Sequence, residues 1–370
     1  MNVSTKNKAV PKLRFSNFTD SWVKVDIGDI LKIGSGRDYK HLNEGNIPVY
    51  GSGGLMKKVD QFLHDGESVC IGRKGTIDKP IYLNEKFWTV DTLFFTHSFL
   101  GVSVKFIFEI FNNINWYKYN EASGVPSLSK STIEKIPIII PDCAEQSKIA
   151  EFLSSVDKKI QLLEKKKEQL EFYKKGIMQK IFSREIRFKD DNGNSYPDWD
   201  DVKVEEIFEV TRGYVLSKSK MSKEKIDEYI YPVYSSQTSN NGVIGYYNEY
   251  LYEDAITWTT DGAKAGTTRY RDGKFYCTNV CGVLISVNGF SNLFIAELIN
   301  SITKRHVSYV GNPKLMNNIM SKIKLKIPAV QEQKKISDFL SAIDSKIETT
   351  STQIGKTKEF KKGLLQQMFV

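Results

Sequence analysis

The strongest constraint on this chain is that a long stretch of it is written twice. Gly124-Val-Pro-Ser-Leu128 returns as Gly311-Asn-Pro-Lys-Leu315, 187 positions further on. At the same interval Lys135-Ile-Pro-Ile-Ile-Ile-Pro141 returns as Lys322-Ile-Lys-Leu-Lys-Ile-Pro328, and Glu145-Gln146 as Glu332-Gln333. Phe152-Leu153 and Asp157 return as Phe339-Leu340 and Asp344, and Lys175-Gly176 and Phe182 as Lys362-Gly363 and Phe369. About sixty positions run in register without a gap, and self-similarity of this kind decides architecture before any local signal. The front halves match more loosely. Trp22 pairs with Trp199, and Val25, Ile27 and Ile30 pair with Val202, Val204 and Ile207. Gly36 pairs with Gly213, and Pro48-Val-Tyr50 with Pro232-Val-Tyr234. Between these anchors the copies diverge freely.

Periodicity assigns structure to each part. The divergent segments carry short apolar runs broken by Gly, Asn, Asp and Ser, the pattern of strands and loops. Their many Tyr and Phe residues suit strands. From residue 143 to 182 there is no proline, and Ile149, Phe152, Val156, Ile160, Leu163, Leu170, Ile177 and Ile181 follow three- and four-residue steps. Ile336, Phe339, Ile343, Ile347, Ile354, Phe360, Leu364 and Met368 do the same in the second copy. Each helix should run about 38 residues, roughly 57 Å at 1.5 Å per residue. A helix that long with one apolar stripe needs a partner, and the other copy is the natural one. The expected fold is α+β: two pseudo-repeated domains separated by two long antiparallel coiled-coil helices. The divisions are residues 1–142, helix 143–185, residues 186–329 and helix 330–370.

The net charge is +9 and the pI about 9.0. That balance favours an acidic partner such as nucleic acid. Much of it sits on the two helical segments, so affinity for such a partner must come from local patches, from the helices or from partner subunits. Residues Met1 to Phe15 lack a signal-peptide apolar core, and no stretch approaches the roughly 20 apolar residues of a membrane span. A cytoplasmic protein is expected. Four cysteines make no disulfide framework. Cys277 and Cys281, with no second pair and no nearby histidine, lack a zinc-ligand pattern and read as buried thiols near a strand.

The pattern Pro141-x-x-x-Glu145-Gln146-x-x-Ile149-x-x-Phe152-Leu153-x-x-x-Asp157, its copy from Pro328 to Asp344, and the preceding Gly124-x-Pro126-x-Leu128 and Gly311-x-Pro313-x-Leu315 resemble the specificity subunits of type I restriction-modification systems. The resemblance covers nearly the whole chain. It implies that each variable domain reads one half of a split duplex DNA site. It also implies that the helices set the distance between half-sites and dock methylation subunits. S-adenosylmethionine chemistry would belong to those partners, and ATP-driven translocation and cleavage to a further restriction subunit. The chain itself would need no cofactor and no metal.

The alternative is a DNA-modifying or DNA-cleaving enzyme with a fused recognition module, and a coiled-coil adaptor binding only proteins is a third reading. Catalytic motifs argue against the enzyme. Lys220-Met221-Ser222-Lys223 imitates an ATP loop of aminoacyl-tRNA synthetases, but its histidine-containing companion is missing. Pro141-Asp142 with Glu164-Lys165-Lys166 imitates a nuclease carboxylate–lysine set, but on a long helix with no cleft. There is no Asn/Asp-Pro-Pro-aromatic methyltransferase tetrapeptide. Glycine loops at Gly34-Ser-Gly36, Gly51-Ser-Gly-Gly54 and Gly72-Arg-Lys-Gly75 do not end in Gly-Lys-Ser/Thr and serve either as hairpin turns or as points of close backbone approach to DNA.

Base readout needs forked or amide side chains at groove edges, whereas phosphate contacts only position the protein. The first domain offers Arg37, Tyr39, Lys40, Arg73 and Lys74, and the second offers Arg212, Tyr214, Gln237, Asn240, Asn241 and Lys264. Gln237 and Asn241 suit adenine, and Arg37, Arg73 or Arg212 suit guanine; each is otherwise an ordinary surface residue. Purified chain incubated with DNA, divalent metal and S-adenosylmethionine should neither methylate nor cut. Appreciable product from the chain alone would favour the enzyme reading.

Overall fold

A computed structural model describes residues 10–286 and 288–370. Residues 1–9, the beginning of the polar stretch discussed above, lie outside the described residues. The chain forms two compact units, one of residues 1–165 and 351–370, the other of residues 166–350.

The first unit begins with β1 (Val23–Asp26) and a single turn, α1 (Ile27–Ile30). It continues through β2 (Lys32–Ser35), β3 (Ile47–Gly51), β4 (Gly54–Val59), β5 (His64–Gly72), β6 (Ile81–Thr89) and β7 (Leu93–His97). Then come α2 (Val104–Asn113), α3 (Lys130–Glu134), β8 (Pro137–Ile140) and the long α4 (Cys143–Phe182). Six strands form one sheet in the order β2-β7-β5-β6-β3-β4, and β1 pairs separately with β8. Every pair is antiparallel except β3 with β6.

The second unit repeats this plan. Its elements are β9 (Asp200–Lys203), α5 (Val204–Ile207), β10 (Glu209–Arg212), β11 (Tyr231–Tyr234), β12 (Val243–Tyr247), β13 (Tyr252–Thr259), β14 (Thr268–Cys277) and β15 (Cys281–Ile285). They lead to α6 (Leu293–Thr303), α7 (Asn317–Met320), β16 (Lys324–Ile327) and the second long helix, α8 (Val330–Met368). The sheet order β10-β15-β13-β14-β11-β12 is the first order translated, down to the one parallel pair, β11 with β14. The fold is therefore α+β, built twice, with two long helices. Among the described residues no helix is long and apolar enough to cross a membrane.

The repeated motif residues explain themselves as fasteners within each unit. Glu145, fully buried, accepts from Arg14 Nε and Nη2, both at 2.7 Å, and from Trp22 Nε1 at 3.1 Å. Glu332, also fully buried, accepts from Arg187 Nη2 at 2.7 Å. Gln146 donates to the Pro141 carbonyl at 2.9 Å and accepts from the Ser103 amide just ahead of α2. Gln333 donates to the Pro328 carbonyl at 2.8 Å and accepts from Asn292, the residue that caps α6. Both Glu–Gln pairs thus tie the first turn of a long helix to the domain before it. Removing either arginine would leave a buried carboxylate unpaired, at a cost of about 3–5 kcal/mol.

The helices are shared between the units, and the seams run antiparallel. In the first unit Lys361 of α8 meets Asp157 of α4 at 2.7 Å and Lys358 meets Glu164 at 2.6 Å, so one number rises as the other falls. Leu364 and Met368 complete the core around Trp22, Phe106 and Leu153. In the second unit Lys174 of α4 meets Asp344 of α8 at 2.8 Å, and Ile181 joins the core around Trp199, Phe294 and Leu340. Phe369 packs against Trp22 and Phe106, and Phe182 packs against Phe294. One expectation changes here. Phe360 is 55% exposed and lies outside the apolar seam. The three- and four-residue steps run through Ile354, Thr357, Lys361, Leu364 and Met368, which turns Phe360 outward by one residue.

Lys361 lies within 3.0 Å of Glu109 on α2, and Lys174 within 3.1 Å of Glu297 on α6. Glu109 is 1% exposed, and burial pushes its carboxyl up to about 7 despite Lys361 beside it. An acid whose folded pKa is raised binds protons that the unfolded chain has already released. Stability therefore falls as pH rises from about 4.5 to about 7. Relative to Glu109→Gln, the wild-type chain should lose denaturant resistance across that window. Parallel pH profiles for the two would refute the assignment.

Candidate nucleic-acid interface

The Gly-x-Pro-x-Leu motifs hold the loop that follows the central strand of each sheet. In the first unit the Leu128 amide donates to the Arg73 carbonyl and the Gly75 amide to the Pro126 carbonyl, both at 2.9 Å. Lys74 and Ser127 form an isolated antiparallel bridge. In the second unit the Leu315 amide donates to Thr260 and the Gly262 amide to Pro313, again at 2.9 Å, and Asp261 bridges Lys314. The repeated motif is thus a fixed ledge, and the loop it holds carries Arg73-Lys74 in one unit and Thr260-Asp261 in the other.

Glycines bring a second loop onto the same end of each sheet. A Cβ on Gly36 would lie 2.0 Å from the Val90 carbonyl oxygen, and one on Gly213 would lie 2.0 Å from that of Cys277. A Cβ on Gly72 would lie 1.9 Å from the Thr76 carbonyl oxygen. At these three positions the close backbone approach is made within the chain. Gly51 and Gly54 pair across the tight β3–β4 hairpin.

Two adjoining clefts result in the first unit. One, of about 790 Å³, is lined by Arg73, Lys74 and Lys130 together with Ser35, Phe94 and Ser129. The other, of about 690 Å³, is lined by Tyr39, Lys40, Ser52, Leu55 and Met56. Asp91 and Thr92 line both. Four of the five sequence candidates are therefore assembled around one turn. Arg37 sits exposed at the rim, where its carbonyl accepts from Trp88 Nε1 at 2.9 Å. The Arg73 guanidinium lies 5.9 Å from the Phe94 ring and donates from Nη1 to the Asp91 carbonyl at 3.5 Å.

The second unit distributes its candidates differently. Arg212 ends β10 and donates to Asn317 Oδ1 at 3.3 Å, while Tyr214, two residues on, is 63% exposed. Gln237, Asn240 and Asn241 share one turn, but their amides are engaged. Gln237 Nε2 donates to the Val243 carbonyl at 2.7 Å, and Asn241 Oδ1 accepts from Arg269. Lys264 is exposed on the next turn, between Gly262 and Gly266. Sequence reading passed over Arg269 and Arg271, although alternation on a strand places both on one face. Cys277 and Cys281 are buried, and the hydrogen bond with Cys281, together with burial, raises the Cys277 thiol. Among the described residues no group of three or more His, Cys, Asp or Glu side chains could hold a metal ion.

A protein with one α+β unit repeated, the same strand order under different loops, is a duplicated scaffold. The family model for type I restriction modification DNA specificity domains matches residues 19–172 and again 196–357, and the chain belongs to that family. The specificity subunit of type I restriction enzyme MjaVIII from Methanocaldococcus jannaschii is 24% identical over 338 residues, 82% of this chain and 76% of that one. The specificity subunit of type I restriction enzyme MpnII from Mycoplasma pneumoniae is 30% identical over 182 residues, about half of each chain (48% and 52%). In fold, the crystal structure of a type I restriction-modification S subunit from M. genitalium aligns with 98% of this chain and 99% of its own, with a TM-score of 0.71 at 18% identity.

The two cations of the Arg73-Lys74 loop should separate by role on duplex DNA. Arg73→Ala should cost about 1–3 kcal/mol on the cognate site and relax one base position, whereas Lys74→Ala should weaken all sequences alike and lower the salt slope by about one. Equal effects of both changes on every sequence would leave the loop as a phosphate contact only.

Proposed function

We propose that this chain is the non-catalytic DNA-reading subunit of a type I restriction-modification complex. Residues 1–142 and 186–329 each read one half of a bipartite duplex site. Residues 143–185 and 330–370 carry the long helices on which methylation subunits dock, and restriction subunits join that assembly. The observation that carries this reading is the pairing of an identical strand order with unlike loop chemistry. The ledge motifs hold Arg73-Lys74 at one place and Thr260-Asp261 at the other. A scaffold kept twice while its tips diverge suits a molecule that must make the same kind of contact with two different sequences.

The catalytic imitations in the sequence have other employment. Asp142 Oδ1 accepts from the Ala144 and Glu145 amides at 2.8 and 3.0 Å, capping α4. Glu164 pairs with Lys358. Lys218–Lys220 form a short exposed turn. Arg37, Tyr39, Lys40, Arg73, Lys74, Arg212, Tyr214, Gln237, Asn240, Asn241 and Lys264 are assigned to the DNA-facing loops.

Exchange of residues 23–124 for the matching segment of another family member tests the reading. Methylated sites mapped in cells supplying the methylation subunits should keep one half of the motif and change the other. A motif changed in both halves, or in neither, would overturn it.

A further inference from the structure

The hairpin between β11 and β12 is built unlike its counterpart. Residues 51–54 bridge the pair Tyr50↔Leu55, whereas residues 235–242 bridge Tyr234↔Val243, four residues more. The longer turn carries three consecutive left-handed residues, Asn240 at φ 47°, Asn241 at φ 53° and Gly242 at φ 88°. Asparagine tolerates this region better than most side chains, but a run of such residues persists only when something outside it holds it.

Two arginines from the adjacent strand β14 do so. Arg271 is 5% exposed, with its guanidinium 3.7 Å from the Tyr234 ring centroid. Its Nη1 donates to the Asn241 carbonyl at 2.7 Å and its Nε to Thr257 Oγ1 at 2.9 Å. Arg269 donates to Asn241 Oδ1 and, at 3.4 Å, to the Thr238 carbonyl. Among the described residues no carboxylate pairs with either, so a buried cation is held by neutral groups alone. Such burial is costly, and the sheet does not require it. Counting back equally from the parallel pairs Val49↔Trp88 and Val233↔Tyr276, the first unit has Ile81 and Leu83 at these two places, beneath its short hairpin. The arginines therefore belong to the long turn and not to the sheet.

We propose that Arg269 and Arg271 are positioning residues for base readout: they clamp the Thr238–Asn241 turn and so determine the half-site read by the second domain. This rests on the reading of the chain as a DNA specificity subunit. By clamping the turn they fix where the hydrogen-bonding capacity left on the amides of Gln237, Asn240 and Asn241 can meet a groove edge.

The first unit supplies the replacement side chains. Arg269→Ile and Arg271→Leu, singly and together, are compared with wild type in cells expressing the chain with its methylation subunits, and methylated motifs are mapped. The expected result is an unchanged first half-site. At the second, discrimination falls roughly tenfold or more, the size of one lost bidentate contact, while the melting temperature of the purified chain stays close to wild type. A motif unchanged in both halves overturns the proposal. If Arg271→Leu prevents folding, the half-exposed Arg269→Ile decides alone: it must relax the second half-site, and an intact one overturns the clamp. A wild-type chain that directs no bipartite motif would instead refute the specificity-subunit reading, and the clamp with it.

Discussion

Two buried carboxylates, Glu145 and Glu332, anchor everything else in these units. Each lies in the first turn of a long helix and takes the guanidinium of an arginine that precedes its domain, Arg14 or Arg187. A carboxylate with no exposed side-chain surface cannot stay charged without that partner. The contact therefore fixes the segment entering a domain to the helix leaving it, with the whole sheet closed between them. The glutamine beside each glutamate completes the closure by binding both the proline carbonyl ahead of the long helix and the start of α2 or α6. The symmetry is not complete. Trp22 donates to Glu145, whereas the indole N–H of Trp199 has no partner among the described residues.

The fold was largely legible because its signals are short-range or repeated. Helix periodicity over 143–182 needs no knowledge of a partner, and a motif recurring at one interval implies one structure used twice. What could not be read was the role of residues whose partners are distant in sequence. Lys361 looks like one more helix-surface lysine until Asp157 and Glu109 meet it, and Phe360 looks like a seam residue because its hydrophobicity outweighs one residue of phase. The loops were harder still. Gln237 and Asn241 carry side chains suited to adenine, but nothing local reveals that Val243 and Arg269 already occupy their amides. Arg269 and Arg271 read as ordinary strand charges, since the turn they hold is reached only through tertiary pairing.

The contrast between the two hairpins shows how a scaffold can be kept while its tips change. At one position β6 has Leu83, 6% exposed, and β14 has Arg271, 5% exposed, within the same strand order. Both side chains fill the space beside a central strand, but only the arginine has donors left to shape a longer loop. Its stem packs as a hydrophobe does while its head organises backbone carbonyls. A sheet that accepts either residue lets loop length and loop support vary together. The Glu–Gln fasteners lie away from that variation, and the Gly-x-Pro-x-Leu ledge holds its variable loop through backbone contacts, so both motifs stay nearly identical in both copies. Divergence is thus confined to the places where a change alters what is presented to a partner without loosening what holds the unit closed.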